Sequence, residues 1–484
     1  MYRDTGAGKD AKPPALMAMA LLLQGYLGTS DAEAVELTLM DLRWQMVLDR
    51  LGATEPAFCQ GALQSFRERL IAADLDRRLL ERTLELAKKT GSFDPKKLPK
   101  TLRIAIDSSP LEGAGRVEDT FNLLGHAARK VVECVAQLLE LSVEQVCRRA
   151  GIPVLMVSSI KKGLDTDWSD PQAKQDALQE LLSQLDSLKA WLSKRPETLN
   201  EPELKKHIAV LEQIAAQDLE PDPDTPKGKR RLRIRKGVAP DRRVSVEDGD
   251  MWHGRKRKTK AFNGYKRHVA SVLDVPLIMA CAVTPANQPE QEAAEPLRDD
   301  IARQGHVIGE LHIDRGYISA PLVNQVLERS GKVLCKPWRH QNKRGQLFSK
   351  TDFHIDLRRL TITCPAGETE VFEPGTLVEF EPDVCDACPL RNRCTLSSVG
   401  HGRTVTINDN ESLQRDLRVL QHTSTGRQKL RQRVGVEHRL AHISQRRGRR
   451  ARYLGLRKNL FDLRRAATVQ NLETIQREQL KQAA

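Results

Sequence analysis

The sequence predicts an α/β fold: a mixed sheet interrupted by a helical insertion and a cysteine-rich insertion, preceded by an all-helical segment. Three observations predict it. Two short apolar strands, "RIAID" (Arg103–Asp107) and "ELHID" (Glu310–Asp314), each end at an acid. Helical periodicity fills the first 95 residues and returns from Leu123 to Asp218. Four of the nine cysteines fall between Cys364 and Cys394. At 484 residues the chain exceeds one simple core and implies several structural units.

From residue 13 the chain reads as helix. Ser30 and Glu33 have the spacing of a capping box, in which each side chain satisfies an orphan amide. The helix that follows carries Ala34, Val35, Leu37, Leu39, Met40 and Leu42, and Ser65–Ile71 begins another. "GSFDPKKLPKT" marks a boundary before a strand with Leu102, Ile104 and Ile106 on one face. The block from Leu123 to Asp218 ends in a charged helical pair, Ala177–Leu192 and Glu203–Ala216, and contributes no strand. "EPDPDTPKGKRR" reads as a linker. Lys266–Leu273 and Leu277–Val283 are antiparallel strands turning at Asp274-Val275-Pro276, and a helix from Glu290 to Gln304 leads to "ELHID". Ser319–Ser330 is helical, "KVLCKP" is a strand, and a basic helical segment from 411 to 473 precedes a Gln-rich polar tail.

Lys plus Arg exceed Asp plus Glu by 78 to 64, a net charge of +14. The excess is local. Gly426–Arg465 holds fourteen Lys/Arg against Glu437 and Asp462, and Lys227–Arg267 holds sixteen against four acids. Two basic segments interleaved with Phe262, Tyr265, Tyr453 and Phe461 point to phosphate contacts and a nucleic-acid partner. A membrane span is excluded: the early apolar run Ala15–Leu23 is far shorter than the ~20 residues required. The odd cysteine number fits a reducing compartment, so a cytoplasmic protein is expected.

The candidate chemistry lies in three acids. Asp107 and Asp314 each end a short strand, and the second opens "DRGYIS". Glu437 shares a helical stripe with Leu430, Val434 and Ala441, so it is expected to point toward the core, where a lone carboxylate needs a cation. Two strand ends and a helix bringing three carboxylates together make a hard oxygen site for Mg²⁺ or Mn²⁺. Two such ions activate an attacking hydroxyl and stabilise the leaving oxygen in phosphodiester chemistry. Arg116, Glu118 and Asp119 follow Asp107 as supporting groups, with Asp119 read first as an N-cap.

With "IDSSPLEGAGRVEDTFNLLGHAARK", "HGRKRKTKAFNGYKRHVA", "VTPAN", "DRGYIS" and "RVGVEHRLAHISQRRGRRARYLGLRKNLFDLRRAATVQNL", the chain resembles the DDE transposases of bacterial insertion sequences. "LLLQGYLGTSDAEAVELTLMDLRWQMVL" resembles their helical N-terminal domain. The resemblance implies a ribonuclease-H-like catalytic domain in which Asp107, Asp314 and Glu437 hold two Mg²⁺ or Mn²⁺ ions. The family signature runs Tyr, two residues, Arg, three residues, Glu, six residues, Lys. Arg433 and Glu437 match it, whereas Leu430 stands at the Tyr and Ser444 at the Lys, with Arg446, Arg447 or Arg449 as substitutes for that cation. It implies cleavage at the ends of an insertion sequence and strand transfer to target DNA, within a homodimer. A joining-deficient nuclease of the same fold, or a non-catalytic DNA-binding derivative, is the alternative. Arg255, Lys256, Lys258, Lys260, Arg433, Arg446, Arg447, Arg449, Arg450 and Arg452 are the expected phosphate contacts.

Cys364, Cys385, Cys388 and Cys394 have spacing compatible with one structural Zn²⁺ in an insertion too poor in apolar residues for its own core. Cys59, Cys134, Cys147, Cys281 and Cys335 read as core residues. His438 and His442 read as solvent-facing or DNA-contacting. The expected units are a helical domain over 1–98, a catalytic core over 99–122 and 241–339, a helical insertion and linker over 123–240, the cysteine-rich insertion over 340–405, and the C-terminal helical segment over 406–484.

Overall fold

The computed structural model describes residues 11–225, 231–237, 239, 241–257, 259–339 and 347–484. Its strands are β1 (Thr101–Glu112), β2 (Leu219–Pro221), β3 (Leu232–Ile234), β4 (Trp252–Arg257), β5 (Lys260–Val272), β6 (Ile278–Pro285), β7 (Val307–His312), β8 (Lys332–Leu334), β9 (His354–Asp356), β10 (Thr361–Thr363), β11 (Thr369–Val371), β12 (Leu377–Glu379) and β13 (Thr404–Thr406). The fold is mixed α/β. Six strands form the main sheet, in the order β4-β5-β1-β7-β8 with β6 also on β5.

In this sheet β5 runs antiparallel to β1, while β7 is parallel to β1 and β8 to β7. The length of β5 lets one edge serve two partners: β4 pairs along Lys260–Gly264 and β6 along Tyr265–Ser271. Gly264 marks the changeover with φ +152°, and a Cβ there would lie 2.2 Å from the Leu111 carbonyl oxygen. Only glycine fits that close approach.

Alternation in β1 builds both faces. Leu102, Ile104 and Ile106 are buried with Val272, Leu311, Ile313, Leu297 and Val323 on one side. Ala105 and Val269 face the other side, covered by Val436, Leu440 and Ile443 of the helix Val434–Arg447 and by Leu463, Ala466 and Ala467 of the long helix Leu456–Ala483. The N-terminal helices form a separate cluster around Leu21, Trp44, Leu63 and Phe66, into which Phe461 of that long helix inserts. Residues from Phe121 to Leu219 have their own core, built largely from the helices Thr120–Leu138, Pro171–Ser193 and Pro202–Asp218.

Several sequence expectations need correction. Asp107 does not end its strand, because β1 continues to Glu112. Leu123–Asp218 holds no strand, as expected, but the stretch read as a linker is flanked by a short antiparallel ribbon of β2 and β3. The helix begun at Asp31 stops at Met40: Asp41 ends it and caps the next, leaving Met40 and Leu42 79% and 69% exposed. The polar tail is helical through Ala483. The cysteine-rich insertion does have an apolar core, of Phe353, Ile362, Phe372, Val378, Phe380, Val405 and Ile407. Cys59 is exposed and Cys134 half-buried, whereas Cys147, Cys281 and Cys335 are buried. The capping box at Ser30 and Glu33 is formed with both of its hydrogen bonds.

Candidate active site

The sheet register places two of the acids together. Pairing of β1 with β7 stops at Ala105 and His312, whereas pairing with β5 continues to Glu112 and Gly264. Asp107 and Asp314 each lie two residues beyond the last paired position. Asp107 therefore sits where one flank of β1 has lost its neighbour, in the kind of crevice that strand ends create in α/β sheets. Asp314 turns the chain and accepts a hydrogen bond from the Arg315 amide at 2.8 Å, capping the short turn Arg315–Tyr317.

Glu437 arrives from the first turn of the helix Val434–Arg447, whose buried stripe is Val436, Leu440 and Ile443. This corrects the sequence reading. The segment containing Leu430 ends at Arg431 as a separate helix, so the stripe through Leu430, Val434 and Ala441 is not the packed one. The Glu437 side chain is 47% exposed and faces the open flank of β1.

Arg433, in the break between those helices, ties the acids together. Its guanidinium lies 3.0 Å from Asp107 Oδ1 and 2.6 Å from Glu437 Oε1. Asp314 adds to the negative field that raises the Arg433 pKa, against the opposing effect of its burial. Burial, and then the nearby Glu437 and Glu290, push the Asp107 carboxyl up to about 6, despite the opposing Arg433 charge. A carboxylate so desolvated is stabilised by a hard cation. Asp107 and Glu437 touch Arg433, and Asp314 acts on it only through its field. Carboxylate oxygens are the donors that Mg²⁺ or Mn²⁺ takes, but among the described residues no three acidic, His or Cys groups are close enough to form a metal cluster as they stand.

Sequence reasoning missed the groups that brace this site. Ser108 donates to Glu290 Oε1 from the residue beside Asp107. Tyr317 Oη lies 2.6 Å from His268 Nδ1, and His268 Nε2 lies 2.9 Å from Thr284 Oγ1. Burial lowers the His268 pKa to about 3, so the ring is neutral and connects the Asp314 turn to β5 and β6. Tyr317 within "DRGYIS" and Thr284 within "VTPAN" were the readable signals; Glu290 has none. At Ser444, where the family has Lys, Arg267 of β5 donates to the hydroxyl at 2.8 Å, so a buried guanidinium stands there.

The other predicted residues fall into distinct places. Asp119 caps the helix Thr120–Leu138, and Glu118 is buried against His126 at 2.6 Å, so both act on the helical insertion. Arg255, Lys256, Lys260, Arg449, Arg450 and Arg452 are exposed. Arg450 donates to the Ala114 carbonyl and Arg452 to that of Thr29. Lys258 lies outside the described residues. Arg447 is a correction: its side chain is 8% exposed, 3.5 Å from Asp462, because its helical position turns it toward the long C-terminal helix. Arg464 and Arg465 are buried too, so part of the basic C-terminal charge holds the fold together.

Cys364, Cys385, Cys388 and Cys394 line one cavity with Phe348 and Phe380. Burial, and then the neighbouring Cys385, Cys364 and Cys388, push the Cys394 thiol up, with Arg403 opposing. Among the described residues no helix is long and apolar enough to cross a membrane.

No curated protein and no solved structure matches the chain. Residues 363–476, which contain all four clustered cysteines, Arg433 and Glu437, match the family model of the transposase DDE domain. That match spans the segment that carries Arg433 and Glu437 but neither Asp107 nor Asp314, and it supports the resemblance to the DDE transposases that the motifs carry.

Proposed function

We propose that the protein is a metal-dependent DNA transposase that cuts the ends of its own insertion sequence and joins the freed 3′-hydroxyls to target DNA. The observation that carries this reading is that Asp107 and Glu437, 330 positions apart in sequence, meet on the one guanidinium of Arg433, with Asp314 beyond the end of the strand paired with β1 and within the field that Arg433 feels. The strand order β6-β5-β1-β7-β8, with one acid on β1 and one just after β7, supports a ribonuclease-H-like catalytic core. The units 1–98, 123–240 and 340–405 are read as domains or insertions around it.

Divalent ions bound by the three carboxylates would supply activation of the attacking hydroxyl and stabilisation of the leaving oxygen. The chain's own groups do the rest. Asp107 is held in a low-dielectric notch that favours exchange of Arg433 for a harder cation. The Ser108–Glu290 and Tyr317–His268–Thr284 contacts brace the residues beside Asp107 and in the turn after Asp314, so the final approach of the three acids falls to the bound ions. Exposed Arg255, Lys256, Lys260, Arg449, Arg450 and Arg452 hold backbone phosphates without reading sequence. Two copies are required if both element ends are cut in one complex. The four cysteines line one cavity and have the chemistry for one structural Zn²⁺, a site that requires them to draw closer than they stand.

The test is strand cleavage and joining on DNA carrying the element's own ends, with Mg²⁺ or Mn²⁺. Both reactions by the wild-type protein support a transposase. Cleavage without joining replaces it with a nuclease. Binding without cleavage favours the non-catalytic derivative, which the Leu430 and Ser444 departures keep as the second reading.

A further inference from the structure

The helix that carries Glu437 has a second polar cleft on its other side. Arg439, His442 and Arg446 follow Glu437 by two, five and nine positions, which at about 100° per residue places them roughly opposite it. They face Gln470, Glu473 and Arg477 of the helix Leu456–Ala483 across a concave pocket. Arg446 pairs with Glu473, and its guanidinium lies 5.7 Å from the Tyr26 ring of the N-terminal helix Pro14–Leu27.

Two features suit this cleft to a ligand rich in hydrogen-bond acceptors. Gln470 is only 6% exposed, yet neither Nε2 nor Oε1 of its side chain has a hydrogen-bond partner. The buried Nε of Arg439 is also unpartnered. Buried amide and guanidinium N–H groups left unpaired carry a desolvation cost, which a bound acceptor removes. The charge gives that acceptor its sign. Three guanidiniums against the single carboxylate of Glu473 favour an anion, and their planar forks match a tetrahedral oxyanion. The crowding of these cations is evident at His442, held below its ordinary pKa by burial, then by Arg439, Arg477, His438 and Arg446.

We propose that this cleft binds a phosphate group of the DNA backbone, on the flank of the Glu437 helix away from the reacting phosphodiester. This rests on the DNA-processing reading above and adds a contact that none of the three candidate acids makes. Gln470 Nε2 and the Arg439 fork donate to phosphate oxygens, Arg477 closes the outer side, and Glu473 sets the position of Arg446. The contact lies beside Tyr26, so a duplex held here runs along the junction between the N-terminal and C-terminal helices.

The test measures binding of the full chain to a short duplex of arbitrary sequence over a range of salt concentrations. The variants are Gln470→Leu, Arg439→Gln, Arg477→Gln and Arg477→Lys, with inorganic phosphate as a separate probe. We expect Gln470→Leu to fold with an unchanged or raised melting temperature and to bind DNA about tenfold more weakly. Arg439→Gln and Arg477→Gln each lower the log–log salt slope by about one, and Arg477→Lys retains it. Wild-type affinity and slope in all four variants overturn the site while leaving the function intact. Protection by inorganic phosphate with unaltered DNA binding assigns the cleft to a free phosphate ligand and overturns the DNA assignment. If the wild-type protein fails to bind DNA at any salt concentration, the functional reading falls and this proposal falls with it.

Discussion

Replacing Asp107 by Asn should make the metal-free protein more stable at neutral pH. Desolvation raises this carboxyl from an ordinary 3.8 to about 6, with Glu437 and Glu290 adding to the shift and Arg433 opposing it. The native state therefore binds the Asp107 proton more tightly than the unfolded chain does. Between pH 4 and 6 the native state holds more protons, so stability falls as pH rises through that window and stays lower above it. The full difference corresponds to about 3 kcal/mol, and local relaxation reduces it to about 1–3 kcal/mol. Asn imitates the protonated acid at every pH. Thermal melts of both proteins in chelator, from pH 4 to pH 8, should coincide at the acid end and separate above pH 6, with Asp107→Asn melting a few degrees higher. Curves that coincide throughout, or a wild type more stable at pH 8, would refute the claim that the notch around β1 holds Asp107 under electrostatic strain.

Other consequences are open to test. Leu440→Ala removes a buried side chain between the Glu437 helix and β1, should cost about 2–5 kcal/mol by denaturant unfolding, and should abolish DNA cleavage by loosening Glu437. Gly264→Ala places a Cβ against the Leu111 carbonyl and the Gly113 amide, so the variant should express poorly or melt far below wild type. If the four cysteines hold zinc, elemental analysis of the purified protein should give one equivalent, and Cys385→Ser should lose it; a metal-free wild type that melts as before would remove the ion from the account. Arg447→Ala breaks a buried contact with Asp462, so it should lower stability while changing the DNA salt slope little, unlike an exposed phosphate contact.

Much of the site was legible because its chemistry is local in sequence. "RIAID" and "ELHID" announce strands running into acids, and β-alternation correctly placed Leu102, Ile104 and Ile106 on one face. The orientation of Glu437 was not legible. The apolar stripe through Leu430 and Val434 matched helical spacing, but the chain breaks at Gln432 and Arg433, which resets the phase so that Val436, Leu440 and Ile443 take the sheet. A helix break between polar residues leaves no periodicity signal. Glu290 and His268 were missed for another reason. Their roles come from sheet register, which sets His268 on β5 opposite Ser108 and carries Glu290, after β6, to the Ser108 hydroxyl, and register is a long-range property. Charge runs misled in the same way. Arg447, Arg464 and Arg465 look like a DNA-facing tail in sequence, yet their side chains are buried and paired with Asp462, Asp74, Asp76 and Asp300, of which Asp76 and Asp300 are buried as well.

The most direct test of the central claim is a Mn²⁺ titration of the full chain followed by calorimetry, comparing wild type with Asp107→Asn, Asp314→Asn and Glu437→Gln. The account predicts saturable binding that weakens at least tenfold in each variant, since each removes one of three carboxylates from a shared site. Equal Mn²⁺ affinity in wild type and all three variants would contradict it, because the acids around Arg433 would then form a salt-bridge cluster and not a metal centre.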